Sequence, residues 1–372
     1  MDILKKNGKT LLIFLLKLFH AVMAKSRTAP ESPRSILILM CHWLGDTFWA
    51  MQGIPALQQK YPDARIYAAV KPFSVPLFHG ILPEKDVLIF KGIISDRTRE
   101  KFRFFHFFRN LKTARSLHPD LVIDLTGNRY SALFARFLGG KSYLAGPDPA
   151  DELSFLYSRR IAIPDSLPDL TRKPKIILEA ITGTVLPETL FPPQASIPVE
   201  ELQKRYQLGK NESLVMIAPG AGWQAKQWPA EKFQALAESL EKQGFRVLIS
   251  GSAGEDSLLQ QVSRNLKNGI ILKDSLAISI SFLPHLKVFI GNDSGLTNLA
   301  AANKIPVLAF FCSTSPSFLG FGGNVITLCS ACTEAPDQIS QFCHTPPRQF
   351  CSRPSFMAIP VEQVNAILKE LL

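Results

Sequence analysis

The sequence predicts an α/β protein made of two doubly wound halves that face each other across a central cleft. Three observations carry that prediction. Short apolar runs alternate with amphipathic helical stretches twice along the chain, a proline-rich connection separates the two alternations, and Val288 to Phe311 reads as strand, tight loop, helix and strand. At 372 residues the chain can build two cores of ordinary size. The predicted divisions are a surface segment and linker over residues 1–33, a first half over 34–190, a second half over 191–360, and a closing helix over 361–372.

The opening stretch, Lys5 to Lys25, is apolar in its middle and flanked by lysines. Its apolar part is too short to cross a bilayer comfortably, and no Ala-x-Ala cleavage pattern follows it. It reads as an in-plane anchor whose lysines meet an anionic membrane surface; the alternatives are an uncleaved signal-like anchor and a helix docked on the protein's own body. Thr28 to Pro33 then form a linker.

Ser35 to Cys41 is a continuous apolar run of buried-strand length, and His42 to Asp46 form its loop. Met51, Ile54 and Leu57 mark the helix, which Tyr61-Pro62 closes before the strand Ala64 to Val70. Asp46 falls beyond a strand's carboxyl end, where doubly wound sheets keep their active groups, or else it merely caps the helix. No G-x-G-x-x-G occurs here, which excludes the dinucleotide fingerprint of a dehydrogenase. Asp86 to Phe90 and Leu121 to Leu125 are further strands. Between them, Phe104, Phe107 or Phe108, and Leu111 stand at helical spacing and are assigned to the core, while Lys101, Arg103, Arg109 and Lys112 are left to face solvent or an anionic acceptor. Asn128 and Arg129 follow a strand end near the same crevice, and Lys141 to Gly146 returns to a strand.

Ile161 to Pro198 is rich in proline and reads as the connection, with one helix from Lys175 to Thr182. The second alternation has strands at Leu214 to Ala218, Arg246 to Ser250 and Ile270 to Leu272. Its helices are Ala230 to Gln243, with Pro229 at the start, and a stretch near Leu276 to Leu286. Beyond Val288, Gly291 and Gly295 permit close backbone approach, and the following helix aims N–H groups at the loop, which suits an anion. Asp293 would repel phosphate but accept hydrogen bonds from sugar hydroxyls. The loop therefore fits a ligand carrying both groups, as a nucleotide-sugar does; the simpler alternative is that Asn292, Asp293 and Ser294 only cap the helix. Val361 to Leu372 is a helix with an apolar stripe that must pack on something.

The formal net charge of +11 points to an anionic partner: nucleic acid, an acidic membrane, or a phosphorylated substrate. The basic residues are scattered and no nucleic-acid module is present, so nucleic acid is set aside. Of the six cysteines, Cys329, Cys332, Cys343 and Cys351 lie close together near the end, with His344 among them. They read as cytosolic thiols of a loop-rich tail that pack or stay free, or else are gathered into a zinc clip.

Four ordered motifs carry a resemblance to the lipopolysaccharide heptosyltransferases of glycosyltransferase family 9. Leu44-Gly45-Asp46 with Pro55-Ala56-Leu57 and Tyr61-Pro62 is similar to the first motif, and Asp120 to Leu125 with Gly127-Asn128 to the second. Pro219-Gly220-Ala221 with Lys226, Trp228 and Pro229 is similar to the donor-phosphate motif, and Gly291 to Leu296 with Ala300-Ala301-Ala302 to the most diagnostic one. The resemblance runs from about residue 35 to the end. It implies a GT-B fold with two Rossmann-like domains, the N-terminal one binding the acceptor and the C-terminal one the donor. It further implies inverting transfer of heptose from an ADP-activated donor to the inner core on lipid A, on the cytosolic face of the bacterial inner membrane.

Carried over by position, Asp46 is the general base, Lys226 meets the donor diphosphate, Asp293 binds donor sugar hydroxyls, and Ser294, Gly295 and Leu296 present N–H groups to phosphate. Glu255 falls by the adenosine ribose, and Asn128 and Arg129 on the acceptor side. Asn298 stands where family members commonly carry histidine; it donates hydrogen bonds but bears no charge. His42-Trp43 likewise replaces a short basic or polar lead. No Asp-x-Asp occurs in the chain, so neither a metal nor another cofactor is expected in catalysis. The rival expectation is an inactive, membrane-associated relative that binds nucleotide-sugar or glycan.

Overall fold

The computed structural model describes residues 28–91, 104–138, 142–148, 153–164, 172–222, 224–273, 275–311, 324–329 and 359–372. The lysine-flanked segment before Thr28 and Cys332, Cys343, His344 and Cys351 lie outside the described residues. The described residues divide into two compact units, the first holding those up to Leu186 apart from Pro76–Gly80 and the second holding Pro187–Leu372 together with Pro76–Gly80.

The first unit is a six-stranded parallel sheet of β1 (Ser35–Met40), β2 (Arg65–Val70), β3 (Val87–Ile89), β4 (Leu121–Asp124), β5 (Tyr143–Asp148) and β6 (Arg159–Ala162). The strand order is β3-β2-β1-β4-β5-β6. The helices are α1 (Leu44–Met51), α2 (Ile54–Lys60), α3 (Phe104–Ser116), α4 (Arg129–Leu138) and α5 (Arg172–Thr182). Central strands covered on both faces need apolar side chains pointing both ways, and Ile36 to Met40 are all buried. Phe107 and Leu111 of α3 enter the core, where Phe107 meets Phe134 of α4 edge-on at 5.5 Å. Phe105 and Phe108 stay outside, 85% and 49% exposed. Within the proline-rich stretch, the described residues supply the end of β6 and all of α5, which packs on α1 and α2.

The second unit repeats the plan with β7 (Leu214–Ala218), β8 (Arg246–Ser250), β9 (Ile270–Leu272), β10 (Leu286–Asn292), β11 (Val307–Phe311) and β12 (Val325–Cys329), again all parallel. Their order, β12-β11-β10-β7-β8-β9, is that of the first sheet read from its other edge. The helices are α6 (Val199–Tyr206), α7 (Ala230–Lys242), α8 (Asp256–Ser263), α9 (Leu276–Phe282), α10 (Gly295–Ala302) and α11 (Val361–Leu371). The stripe on α11 finds its partner here, with Val364 and Leu368 buried in the core beside α7. Trp228 stacks on Phe310 with ring centroids 4.4 Å apart and is 1% exposed.

This order matters because a doubly wound sheet reverses its winding once. The two loops that leave neighbouring strands there diverge to opposite faces and open a crevice at the strands' carboxyl ends. The reversal falls between β1 and β4 in the first sheet and between β7 and β10 in the second. No described helix is long and apolar enough to cross a membrane.

Candidate functional site

In the second unit, the end of β10 and the loop after it give three adjacent residues three different jobs. Asn292 is fully buried; its Oδ1 accepts from the Trp228 N–H at 2.9 Å and its Nδ2 donates to the Pro219 carbonyl at 2.7 Å. Asp293 turns to Lys226, whose Nζ lies 2.5 Å from Oδ2, with side chains 17% and 11% exposed. Ser294 caps α10, its hydroxyl accepting from the Thr297 N–H. Only one of the three is therefore the helix cap. The first N–H groups of a helix have no partner within it, and at the start of α10, beside the ion pair, the Ser294 hydroxyl takes that of Thr297. Asn298 is 4% exposed and donates from Nδ2 to the Ser294 carbonyl at 2.8 Å, which fixes the amide against its own helix.

The loop after β7 lies against the loop after β8. Glu255 forms a capping box with Ser252, its Oε2 accepting from both the Ser252 N–H and the hydroxyl at 2.8 Å. Gly220 makes room for this carboxylate, since a Cβ there would stand 2.0 Å from Glu255 Oε1. Lys226, Glu255, Asp293 and the start of α10 thus gather at the carboxyl ends of β7, β8 and β10.

In the first unit, Trp43 occupies the capping position of α1 and Asp46 is the third helical residue, so the carboxylate is not the helix cap. Its side chain is 47% exposed, with Oδ2 3.9 Å from His42 Nδ1. The neighbouring loop after β4 is braced from beneath. Asp124 is fully buried; Tyr157 donates its hydroxyl to Oδ2 at 2.6 Å and Gly127 its N–H to Oδ1 at 2.9 Å. Burial holds the Asp124 carboxyl above the usual carboxylate range, and the hydrogen bonds from Tyr157, Ser131 and Gly127 and the charge of Lys173 pull the other way. Gly127 has φ +62°, and a Cβ on it would meet Pro147 Cγ at 2.4 Å and Lys173 Nζ at 2.6 Å.

Asn128, expected on the acceptor side, is 8% exposed and uses Oδ1 to accept from the N–H groups of Tyr130 and Ser131, capping α4. Arg129 is exposed, its guanidinium 5.5 Å from the Tyr130 ring centroid. Lys71, which the sequence reading passed over, is 1% exposed just beyond β2, with its ammonium 6.0 Å from the Trp43 ring centroid. A lone lysine directly after an apolar strand was the available signal. Among the described residues no group of three His, Cys, Asp or Glu is placed to hold a metal ion.

Comparison with known proteins places this architecture. The structure of E. coli ADP-heptose LPS heptosyltransferase II resembles the chain with a TM-score of 0.70 at 21% identity, over 91% of this chain and 98% of that one. The fold is thus that of the GT-B glycosyltransferases, with two parallel six-stranded α/β units. In sequence, lipopolysaccharide heptosyltransferase 3 of Escherichia coli is 23% identical over 74% of this chain and 82% of its own length. Lipooligosaccharide heptosyltransferase 2 of Haemophilus ducreyi is 26% identical over 76% and 84%. The profile of glycosyltransferase family 9 (heptosyltransferase) matches residues 107–345, and the chain belongs to that family of glycosyltransferase enzymes.

Proposed function

We propose that the protein transfers heptose from ADP-heptose to the inner core of lipopolysaccharide, with inversion at the anomeric carbon and without a metal. The observation that carries this reading is the position of the two candidate clusters: Asp46 follows β1 and the Lys226–Asp293 pair joins the loops after β7 and β10, so each falls at its own sheet's reversal of winding. Family membership and the named activities of the relatives support the sugar and the acceptor.

Inversion requires a base for the acceptor hydroxyl, and Asp46 has the exposure for that role. The departing diphosphate gathers negative charge as the anomeric bond breaks. Lys226 and the start of α10 stabilise that charge more than they stabilise the bound donor, and this is how they lower the barrier. Asp293 keeps the ammonium in place and has acceptor capacity for sugar hydroxyls. Glu255 takes the ribose, and Arg129 meets acidic groups of the acceptor; with its oxygen committed to α4, Asn128 contributes by holding that loop. The enzyme works at the anionic cytosolic face of the inner membrane, where its net positive charge favours residence.

The test incubates purified protein with ADP-heptose, EDTA and a panel of truncated core acceptors, with mass detection of a sugar adduct. One heptose is added by the wild type and none by Asp46→Asn. An adduct formed equally by Asp46→Asn, or formed only after EDTA is removed, contradicts the base or the metal-free chemistry respectively.

A further inference from the structure

We infer that His42 is a positioning residue for Asp46 that also receives its proton, an inference that rests on the reading of Asp46 as the base. His42 Nε2 lies 2.7 Å from the Thr126 carbonyl oxygen. A carbonyl only accepts, so Nε2 carries a hydrogen and Nδ1 is the nitrogen whose proton comes and goes. Nδ1 is the atom that stands 3.9 Å from Asp46 Oδ2. That is about 1 Å beyond hydrogen-bond length, so a small turn of either side chain closes the gap.

The arrangement is built into the fold. Thr126 is itself pinned to β1: its hydroxyl accepts from the Cys41 N–H at 3.0 Å and donates to the Leu39 carbonyl at 3.2 Å, and its N–H donates to the same carbonyl at 3.1 Å. The carbonyl that holds the ring is therefore fixed to the strand from which His42 departs. On the flanking strand ends, the Lys71 ammonium lies 6.0 Å from the Trp43 ring centroid, and Asp124 accepts from Tyr157 and Gly127.

In the transfer, the acceptor oxygen bonds to the anomeric carbon as the bond from that carbon to the diphosphate oxygen breaks, and the acceptor proton passes to Asp46. The rotated carboxyl then hands the proton to Nδ1. That transfer leaves the ring protonated on both nitrogens and restores the carboxylate as the base. The imidazolium lies between a carboxylate and a carbonyl, and with the His42 side chain 27% exposed its proton is lost to solvent. A carboxylate alone would have to release each proton directly to water.

Steady-state kinetics with ADP-heptose and the acceptor that the wild type glycosylates test this with His42→Ala, His42→Gln and Asp46→Asn. The Gln amide can still donate to the Thr126 carbonyl but offers no base. The expected result is a loss of about 10- to 100-fold in kcat for both His42 variants, with KM for either substrate within about threefold of wild type. Added imidazole restores His42→Ala at least about fivefold and does nothing for Asp46→Asn. Wild-type kcat in His42→Gln, with Asp46→Asn inactive, overturns the inference and leaves the base standing. A wild-type rate in Asp46→Asn removes the base and the inference with it.

Discussion

Asn292 is the point at which the second unit's site is most exposed to a single substitution. It has no surface contact with solvent, and its amide bridges two backbone groups on either side of Lys226: the Pro219 carbonyl at 2.7 Å and the Trp228 N–H at 2.9 Å. Asn292→Ala strands both groups away from water. Each orphan costs about 1–3 kcal/mol, so the loss is about 2–6 kcal/mol, before any effect on the loop that carries Lys226. Asn292→Asp sharpens the test. The new carboxyl still accepts from Trp228, and it donates to Pro219 only while protonated. Its proton is therefore bound more tightly in the folded protein than in the unfolded chain. Stability should match wild type most closely in acid and fall as pH rises through the folded value. Urea unfolding followed by tryptophan fluorescence at several pH values reads both variants. A loss under about 0.5 kcal/mol for Asn292→Ala, or a pH-independent deficit for Asn292→Asp, refutes the role of the bridge.

Three further outcomes follow from close contacts in the two units. Gly220→Ala drives a Cβ into Glu255 Oε1, so the carboxylate leaves its capping box at a cost of about 1 kcal/mol, and steady-state kinetics should show KM for ADP-heptose raised several-fold with kcat retained. For Asp124, whose folded carboxyl binds its proton more tightly than the unfolded chain does, the contribution to stability is complete below the unfolded value of about 3.9 and is lost as pH rises through the folded value. The stability gap between wild type and the non-titrating Asp124→Asn is accordingly widest in acid and narrows toward neutrality, as urea unfolding across that range would register. Gly53→Ala places a Cβ 2.3 Å from Leu178 Cδ1, and this overpacking between α2 and α5 should cost about 1–3 kcal/mol by the same measurement.

The strands were the most legible part of the sequence. A parallel strand buried on both faces leaves an unbroken apolar run, and Leu214–Ala218, Arg246–Ser250, Ile270–Leu272 and Val307–Phe311 occupy the residues their runs mark out. Where burial is one-sided the signal fades. The edge strand β6 buries only Ile161 of its four residues and α6 buries only Leu202, so neither stood out from the loops around it. The same limit governs the site. Position at a strand end drew attention to Asp46 and Asp293, and the family resemblance to Lys226, each one at a time, but the ion pair spans 67 residues of chain and exists because β7 and β10 are neighbours. The bond from His42 to Thr126 spans 84 and depends in the same way on β1 beside β4. Asn128 shows the converse: a polar residue at a strand end looked available for ligand, and its oxygen is committed to the cap of α4.

Titration calorimetry with ADP tests the central claim most directly. If the second unit alone cradles the leaving diphosphate, Lys226→Met weakens ADP binding by about tenfold or more, while Asp46→Asn leaves it within about twofold of wild type. Equal affinity in Lys226→Met and wild type, or a comparable loss in Asp46→Asn, would contradict it.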